Sequence, residues 1–227
     1  MPEASIDDVR NVPYFAPLSD ERAARFAERL VVREFGPREM VIREGEECEG
    51  FYLMRHGRGR IFQTGADGRE QILRIVAPGE TFGEVPVFDG QPNPASVETL
   101  EAAEVVLFPR RAVHALLAEE PQVARLMLRH FARRLRAFTE LVQQISLQTV
   151  QNRLARYLYL TARERGTETE GGVAFARDMT QQDLAALVGT VREVVARTLR
   201  VFEEEGIIEI RRKEFVVRDM DALRRLL

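Results

Sequence analysis

The chain has one cysteine, Cys48, and one lysine, Lys213, among its 227 residues. A single thiol excludes an intrachain disulfide framework and an iron–sulfur cluster held by four thiolates of one chain. No apolar run approaches the roughly 20 residues that cross a bilayer. The opening "MPEASIDDVR" has neither the basic nor the apolar region of a secretory signal. A cytoplasmic protein with no membrane partner is therefore expected. Chemistry-bearing constellations are equally scarce. No Ser/His/Asp set, metal-ligand spacing or phosphate loop stands in the sequence, so no catalytic residue and no metal ligand is assigned and an enzyme is not expected. The hydrophobic fraction of 45% supplies core for one large domain or two of ordinary size.

The net charge of −3 conceals an asymmetry. Residues 1–120 carry 14 arginines against 22 acidic side chains, and residues 121–227 carry 19 basic against 14 acidic ones. A chain at −8 in one half and +5 in the other suggests that only the second half meets a polyanion.

Along the chain, residues 14–35 read as a helical pattern that Ser19 or Asp20 can cap, with Phe26, Leu30 and Val31 at helical spacing. From Met40 to Phe108 the pattern changes to short β-type runs punctuated by glycine, with "GADG" (Gly65–Gly68) a hairpin signal. That spacing fits a sandwich, roll or barrel. "PRRAVHALLAEEP" returns to helix. Then Ala124, Leu128, Phe131, Leu135, Phe138, Val142, Ile145 and Thr149 recur at alternating steps of four and three. This is a heptad seam about 37 Å long at ~1.5 Å per residue. A strict, narrow seam favours a symmetric homodimer over a helix lying on its own barrel.

Residues 152–165 form another helix, "GTETEGG" a polar loop and "VAFA" a short strand. "MTQQDLAALVGTVREVVARTLRVFEEEGII" then reads as two amphipathic helices pivoting on Gly189. "GIIEIRRKEFVVRD" fits a hairpin with a basic tip, and "MDALRRLL" a closing helix. Two helices followed by a hairpin make a winged helix-turn-helix. Side chains in the first turns of its second helix meet base edges in a major groove. Arg192 and Arg197 suit guanine and Glu193 suits cytosine. Thr180, Gln181, Gln182, Arg211, Arg212 and Lys213 would touch phosphates. Two structural explanations compete: Thr190 and Glu193 form a T-x-x-E capping box, and Arg197 can pair with Glu193 one turn away.

The residues from Met179 to Leu199 fit T-x-x-[DE]-[IL]-A-x-x-x-G-x-x-R-E-x-x-x-R, and so resemble the DNA-binding helices of the cyclic-AMP receptor / fumarate-nitrate regulator superfamily. "EGEECEGFYLMRHGRGRIF" and "GREQILRIVAPGETFGE" resemble its cyclic-nucleotide-binding β-roll, with Gly45, Gly57, Gly79 and Gly83 at its turns. The resemblance implies an α+β fold with an N-terminal β-roll sensor domain over 1–120, a central dimerisation helix over 121–148 and a C-terminal winged helix-turn-helix over 149–227. It implies a homodimer on double-stranded DNA, reading an inverted repeat of TGTGA-like half-sites through Arg192, Glu193 and Arg197, with RNA polymerase as a further partner. Val191 departs from the family's usual serine.

The effector is less determined. The family's phosphate cassette runs F-G-E…R-[ST]-A, and "ETFGEVPVFDGQPNPASVETL" keeps Phe82, Gly83, Glu84 and Ala95 but has Asn93 at the arginine position, followed by Pro94. The polar pair that contacts adenine aligns with Phe138 and Thr139. The effector-pocket candidates are therefore Gly83, Glu84, Asn93, Ala95, Phe138 and Thr139. Loss of the guanidinium removes a charge-assisted contact to a cyclic phosphodiester and argues against cyclic AMP. Haem remains open, because the "PN" cassette resembles a branch that responds to nitric oxide. His56, His114 and His130 each read more simply as surface or packing residues than as iron ligands. Pro2 ligates haem in one carbon-monoxide-sensing branch, whose second ligand has no His or Cys counterpart here. Regulation without any ligand is the remaining alternative. A different function class also stands: a sensor module whose helix-turn-helix serves protein contacts.

Overall fold

The computed structural model describes residues 3–227, so Met1 and the Pro2 haem comparison lie outside it. The chain divides into two compact units, Met1–Gln63 with Leu73–Phe138, and Thr64–Ile72 with Thr139–Leu227.

The N-terminal part of the chain opens with α1 (Ile6–Arg10) and α2 (Asp20–Ala27), followed by β1 (Val31–Phe35), β2 (Met40–Ile42), β3 (Gly50–His56), β4 (Gly59–Thr64), β5 (Glu70–Val76) and β6 (Thr81–Phe82). The short α3 (Val85–Asp89) precedes β7 (Ser96–Thr99) and β8 (Ala103–Pro109). Then come α4 (Arg110–Glu119) and α5 (Pro121–Leu147), which continues past the boundary. The strands form two four-stranded sheets, ordered β1-β8-β3-β6 and β2-β7-β4-β5. β3 shows why an unbroken apolar run is a strand here. Phe51 and Leu53 face a core shared with the helices, while Tyr52 and Met54 face a second core with Ile42, Val97 and Val105. Successive side chains point to opposite faces and both faces are covered, so neither needs to be polar. Phe51 stacks on Phe108 with centroids 4.7 Å apart. Each such fully buried ring contributes about 1.5–3 kcal/mol of burial free energy. The N-terminal segment is tied to the strands by Arg55, which donates to Asp8 at 2.5 and 2.8 Å and to Glu104 at 2.7 Å.

The helical pattern expected over 14–35 is shorter in the structure. Ser19 does cap α2, its hydroxyl accepting from the Arg22 amide. The helix stops at Ala27, and Val31 opens β1, paired with Leu107 of β8. β-branched Val31 and Val32 gain more from that ladder than from another helical turn, a tertiary choice that local spacing does not reveal.

The heptad seam lies along one face of α5, whose other face buries Val123 and Met127. Leu128, Phe138 and Val142 on the seam are 66%, 51% and 50% exposed in the single chain. Phe131 departs from this by packing edge-on against Phe88 at 5.4 Å.

The second unit contains α6 (Val150–Arg165), β9 (Thr167–Thr169), β10 (Gly172–Ala176), α7 (Gln181–Val188), α8 (Arg192–Glu204), β11 (Ile208–Ile210), β12 (Glu214–Val217) and α9 (Met220–Arg225). Its sheet is ordered β11-β12-β10-β9. Leu154, Leu158, Leu184, Val195, Leu199, Phe202 and Val216 are buried at its centre. "GTETEGG", read as a loop, instead supplies edge strand β9 of a hairpin with β10. All three β9 residues are exposed, so the strand carries no apolar alternation to read.

Candidate nucleic-acid interface and sensor cassette

α7 begins at a reciprocal cap. The Thr180 hydroxyl donates to the Asp183 carboxylate at 2.7 Å and accepts from the Asp183 amide at 3.1 Å, while the Thr180 amide donates back to that carboxylate. The helix ends at Gly189, whose φ of +70° and ψ of +53° form the left-handed cap that a residue with a Cβ adopts only at a cost. α8 then starts from Val191, which offers no side-chain cap. The T-x-x-E box expected from Thr190 and Glu193 is not formed. Nor does Arg197 pair with Glu193. Among the described residues no hydrogen bond or ion pair engages Arg192, Glu193 or Arg197, and all three are exposed. The opposite side of α8 buries Val195, Leu199 and Phe202. Three charged groups are thus held outward by a well-packed helix, with neither structural explanation realised.

A cleft of about 720 Å³ brings Thr180, Gln181, Gln182, Arg192 and Arg212 together with Arg177, Asp178 and Met179. Glu193, Arg197, Arg211 and Lys213 stand outside its lining. Arg177 escaped sequence reading because it precedes the helix-turn-helix motif. Its guanidinium lies 5.6 Å from the centre of the Phe215 ring on the hairpin, an arrangement only the fold creates. At the hairpin tip the three basic residues differ. Arg211 donates to Glu209 at 2.9 and 3.3 Å and to Glu214 at 2.7 Å. Hydrogen bonds from Arg211 and Arg218 hold the Glu209 carboxyl down at about 2. The charge of Arg211 is therefore internally compensated, leaving exposed Arg212 and Lys213 as the tip's uncompensated cations.

Arg153 of α6 is a second residue that sequence reading missed. Its Nε donates to the Val188 carbonyl at 2.5 Å, and its Nη1 to the carbonyls of Gln148 (2.5 Å), Gln144 (3.3 Å) and Ile145 (3.4 Å). One guanidinium thus satisfies orphan carbonyls at the C-terminal ends of both α5 and α7, where the helix dipoles favour positive charge. An arginine inside an amphipathic helix carries no sequence signal for this.

In the first unit, Gly83 and Glu84 follow β6. Gly83 has φ +79°, and a Cβ there would lie 2.8 Å from Ile42 Cδ1. Glu84 is buried and accepts from the Thr81 hydroxyl at 2.6 Å, with His130 Nε2 3.4 Å away. Burial alone would raise its pKa, but the hydrogen bonds from His130 and Thr81 and its own backbone amide hold it below the ordinary carboxylate value. Asn93 is buried too, its Nδ2 donating to the carbonyls of Glu46 at 3.0 Å and Glu47 at 3.4 Å. Ala95 is half-buried beside β7, and Phe138 and Thr139 are exposed on α5. The nearby guanidiniums of Arg74 and Arg134 both approach Glu80. The side chains present do not fit a cyclic phosphodiester: the cassette has no cation for the phosphate, and Glu84 and Asn93 are engaged within the protein. Among the described residues no cluster of three potential metal ligands occurs, and no helix is long and apolar enough to cross a membrane.

Residues 32–120 match the cyclic nucleotide-binding domain family, and residues 152–226 match the Crp-like helix-turn-helix domain family. The chain is 30% identical to the CRP-like cAMP-activated global transcriptional regulator of Mycobacterium tuberculosis, over 93% of this chain and 94% of that protein. It is also 30% identical to the Cyclic AMP receptor protein of Thermus thermophilus, over 86% of each. Among solved structures, FixK2 from Bradyrhizobium japonicum shares the fold with a TM-score of 0.75 at 24% identity, over 87% of this chain and 96% of that one. A CRP/FNR-family transcriptional regulator from Thermus thermophilus gives a TM-score of 0.70 at 25% identity, over 86% and 97%.

Proposed function

The chain belongs to the CRP/FNR family of transcription regulators, and from that premise we propose that it acts as a homodimer reading an inverted repeat of TGTGA-like half-sites. It is a DNA-binding regulator and not an enzyme. The observation that carries the finer reading is the start of α8, whose first two turns are uncapped by any side chain and leave Arg192, Glu193 and Arg197 unpaired and exposed. Guanidinium forks aimed at guanine N7 and O6, with a carboxylate aimed at cytosine N4, are the pairings these side chains suit. Gln181, Gln182, Arg212 and Lys213 contact phosphates, joined by Arg177. Thr180 contributes mainly by capping α7, and Arg211 mainly by shaping the hairpin tip. The α5 seam is the dimer contact, because its exposed Leu128, Phe138 and Val142 match a second copy of the same stripe. RNA polymerase is the protein partner.

Fluorescence anisotropy with a TGTGA-type palindrome tests this. Arg192→Ala should weaken specific binding by about 1–3 kcal/mol and relax preference at one base pair per half-site. Affinity should also fall steeply with salt. Unchanged affinity in the variant would sink the assignment and favour a helix-turn-helix that contacts protein instead.

The names of both relatives couple them to cyclic AMP, but the Asn93 cassette supports a different input here. The effector is another molecule, haem included, or the protein works by abundance alone. Calorimetry with cyclic AMP should give no saturable heat. Micromolar binding that tightens operator affinity would overturn this, and the absorption spectrum of protein expressed with haem separates the remaining two.

A further inference from the structure

Residues 121–138 contain no acidic side chain, and all of them belong to the first unit. Several arginines elsewhere in that unit have carboxylate partners, among them Arg22 with Glu119 and Glu120, Arg33 with Glu49, and Arg58 with Glu101. On α5, by contrast, Arg129, Arg133 and Arg136 are exposed and have no hydrogen bond or ion pair among the described residues. Positions i, i+4 and i+7 lie on one helix face. These three guanidiniums edge a groove of about 430 Å³ whose floor is apolar, made by Pro13, Tyr14, Leu126 and Ala132. The groove is not on the seam: Leu128 and Phe138 face elsewhere and line none of it.

We propose that this groove binds a small organic polyanion, a compound with at least two phosphate or carboxylate groups attached to a planar ring. The volume falls in the range of small-molecule sites, about 300–1,000 Å³. A guanidinium fork grips phosphate or carboxylate through paired hydrogen bonds, and three uncompensated forks on one helix face otherwise only repel one another. Arg129 and Arg136 are separated by about 10 Å of helix at ~1.5 Å per residue, beyond the reach of one phosphate, so the ligand carries its charges apart. The ring rests on Pro13 and Leu126, with Tyr14 buried behind them. Tyr14 also gives the groove a connection inward, since its ring meets His130 edge-on at 5.3 Å, and His130 Nε2 lies 3.4 Å from Glu84. The site is separate from the Gly83–Glu84 cassette and does not depend on how DNA is read.

The test is calorimetry on the full chain with tripolyphosphate, ATP and adenosine as probes. ATP should bind in a 1:1 ratio per chain, tripolyphosphate more weakly, and adenosine not at all. Arg129→Ala/Arg133→Ala should weaken ATP binding at least tenfold without altering the melting temperature, because both side chains are exposed. The control Arg110→Ala/Arg111→Ala should bind as the parent does. The proposal is overturned if neither polyanion binds at 1 mM, or if the control loses as much affinity as the groove variant. It is likewise overturned if the groove variant loses affinity for duplex DNA of unrelated sequence as strongly as for ATP, which would make the stripe a track for a DNA backbone.

Discussion

Replacing Arg153 with alanine removes the one side chain that closes the C-terminal ends of both α5 and α7. Its two short bonds, to the carbonyls of Val188 and Gln148, are charge-assisted, and hydrogen bonds to charged groups contribute about 1.5–3 kcal/mol each. The guanidinium is half-exposed, so water replaces part of what is lost. The lower part of that range, about 1.5–2 kcal/mol per bond, applies, which sums to about 3–4 kcal/mol. For a unit of roughly 100 residues each kcal/mol moves the melting temperature by about 4–8 °C, so a fall of roughly 12–32 °C is expected. Arg153→Lys should recover only part of this, since one ammonium cannot span both helix ends as a planar fork does. Circular dichroism melts of the three proteins, with specific DNA binding measured at a temperature where all are folded, decide the matter. A variant melting within about 3 °C of the parent would refute the clasp as a source of stability.

Gly189→Ala forces a side chain into a left-handed conformation and should cost about 1–2 kcal/mol, while Gly189→Asn should cost less; equal denaturant midpoints for the two would count against the argument. Asp8 carries a pH dependence. Burial raises its pKa, but the hydrogen bonds and charge of Arg55 and the Ser5 amide hold it below 3.8. A carboxylate depressed on folding stabilises the chain fully above its unfolded pKa and loses that contribution as pH falls through the folded value. Asp8→Asn should therefore flatten stability against pH below about 4 and leave an acid limb no steeper than the other carboxylates produce; an unchanged limb refutes the linkage. Leu128→Glu/Val142→Glu places carboxylates on the seam and should give monomers in sedimentation equilibrium, with operator affinity reduced more than tenfold. A dimer of parental strength would move the contact elsewhere.

Where one physical rule acted locally, the sequence was legible. The heptad stripe of α5, the glycine pivot and the alternation of the hairpin each follow from periodicity or φ preference within a few residues. The outward set Arg192, Glu193 and Arg197 was legible for the same reason, because helical spacing alone puts Val195, Leu199 and Phe202 on the other side. Elements that depend on a partner were not legible. β9 has no buried face, and β1 is a strand because β8 lies beside it. The clasp of Arg153 depends on two helix ends that meet only after folding. Among the site residues, the sequence could not separate Arg211 from Arg212, since the difference is a pair of carboxylates delivered by the hairpin register.

The order of residues alone determined that an acidic β-rich half precedes a long, basic seam helix and a helix-turn-helix, because hydrophobic period, glycine placement and charge are properties of neighbours along the chain. Tertiary structure decided which polar groups remain available. It engaged Glu84, Asn93 and Arg211 within the protein, and it left Arg192, Arg197 and, on α5, Arg129, Arg133 and Arg136 to meet something else. Whether a charge finds a counter-charge depends on distances across the fold, and those are set only when distant segments pack.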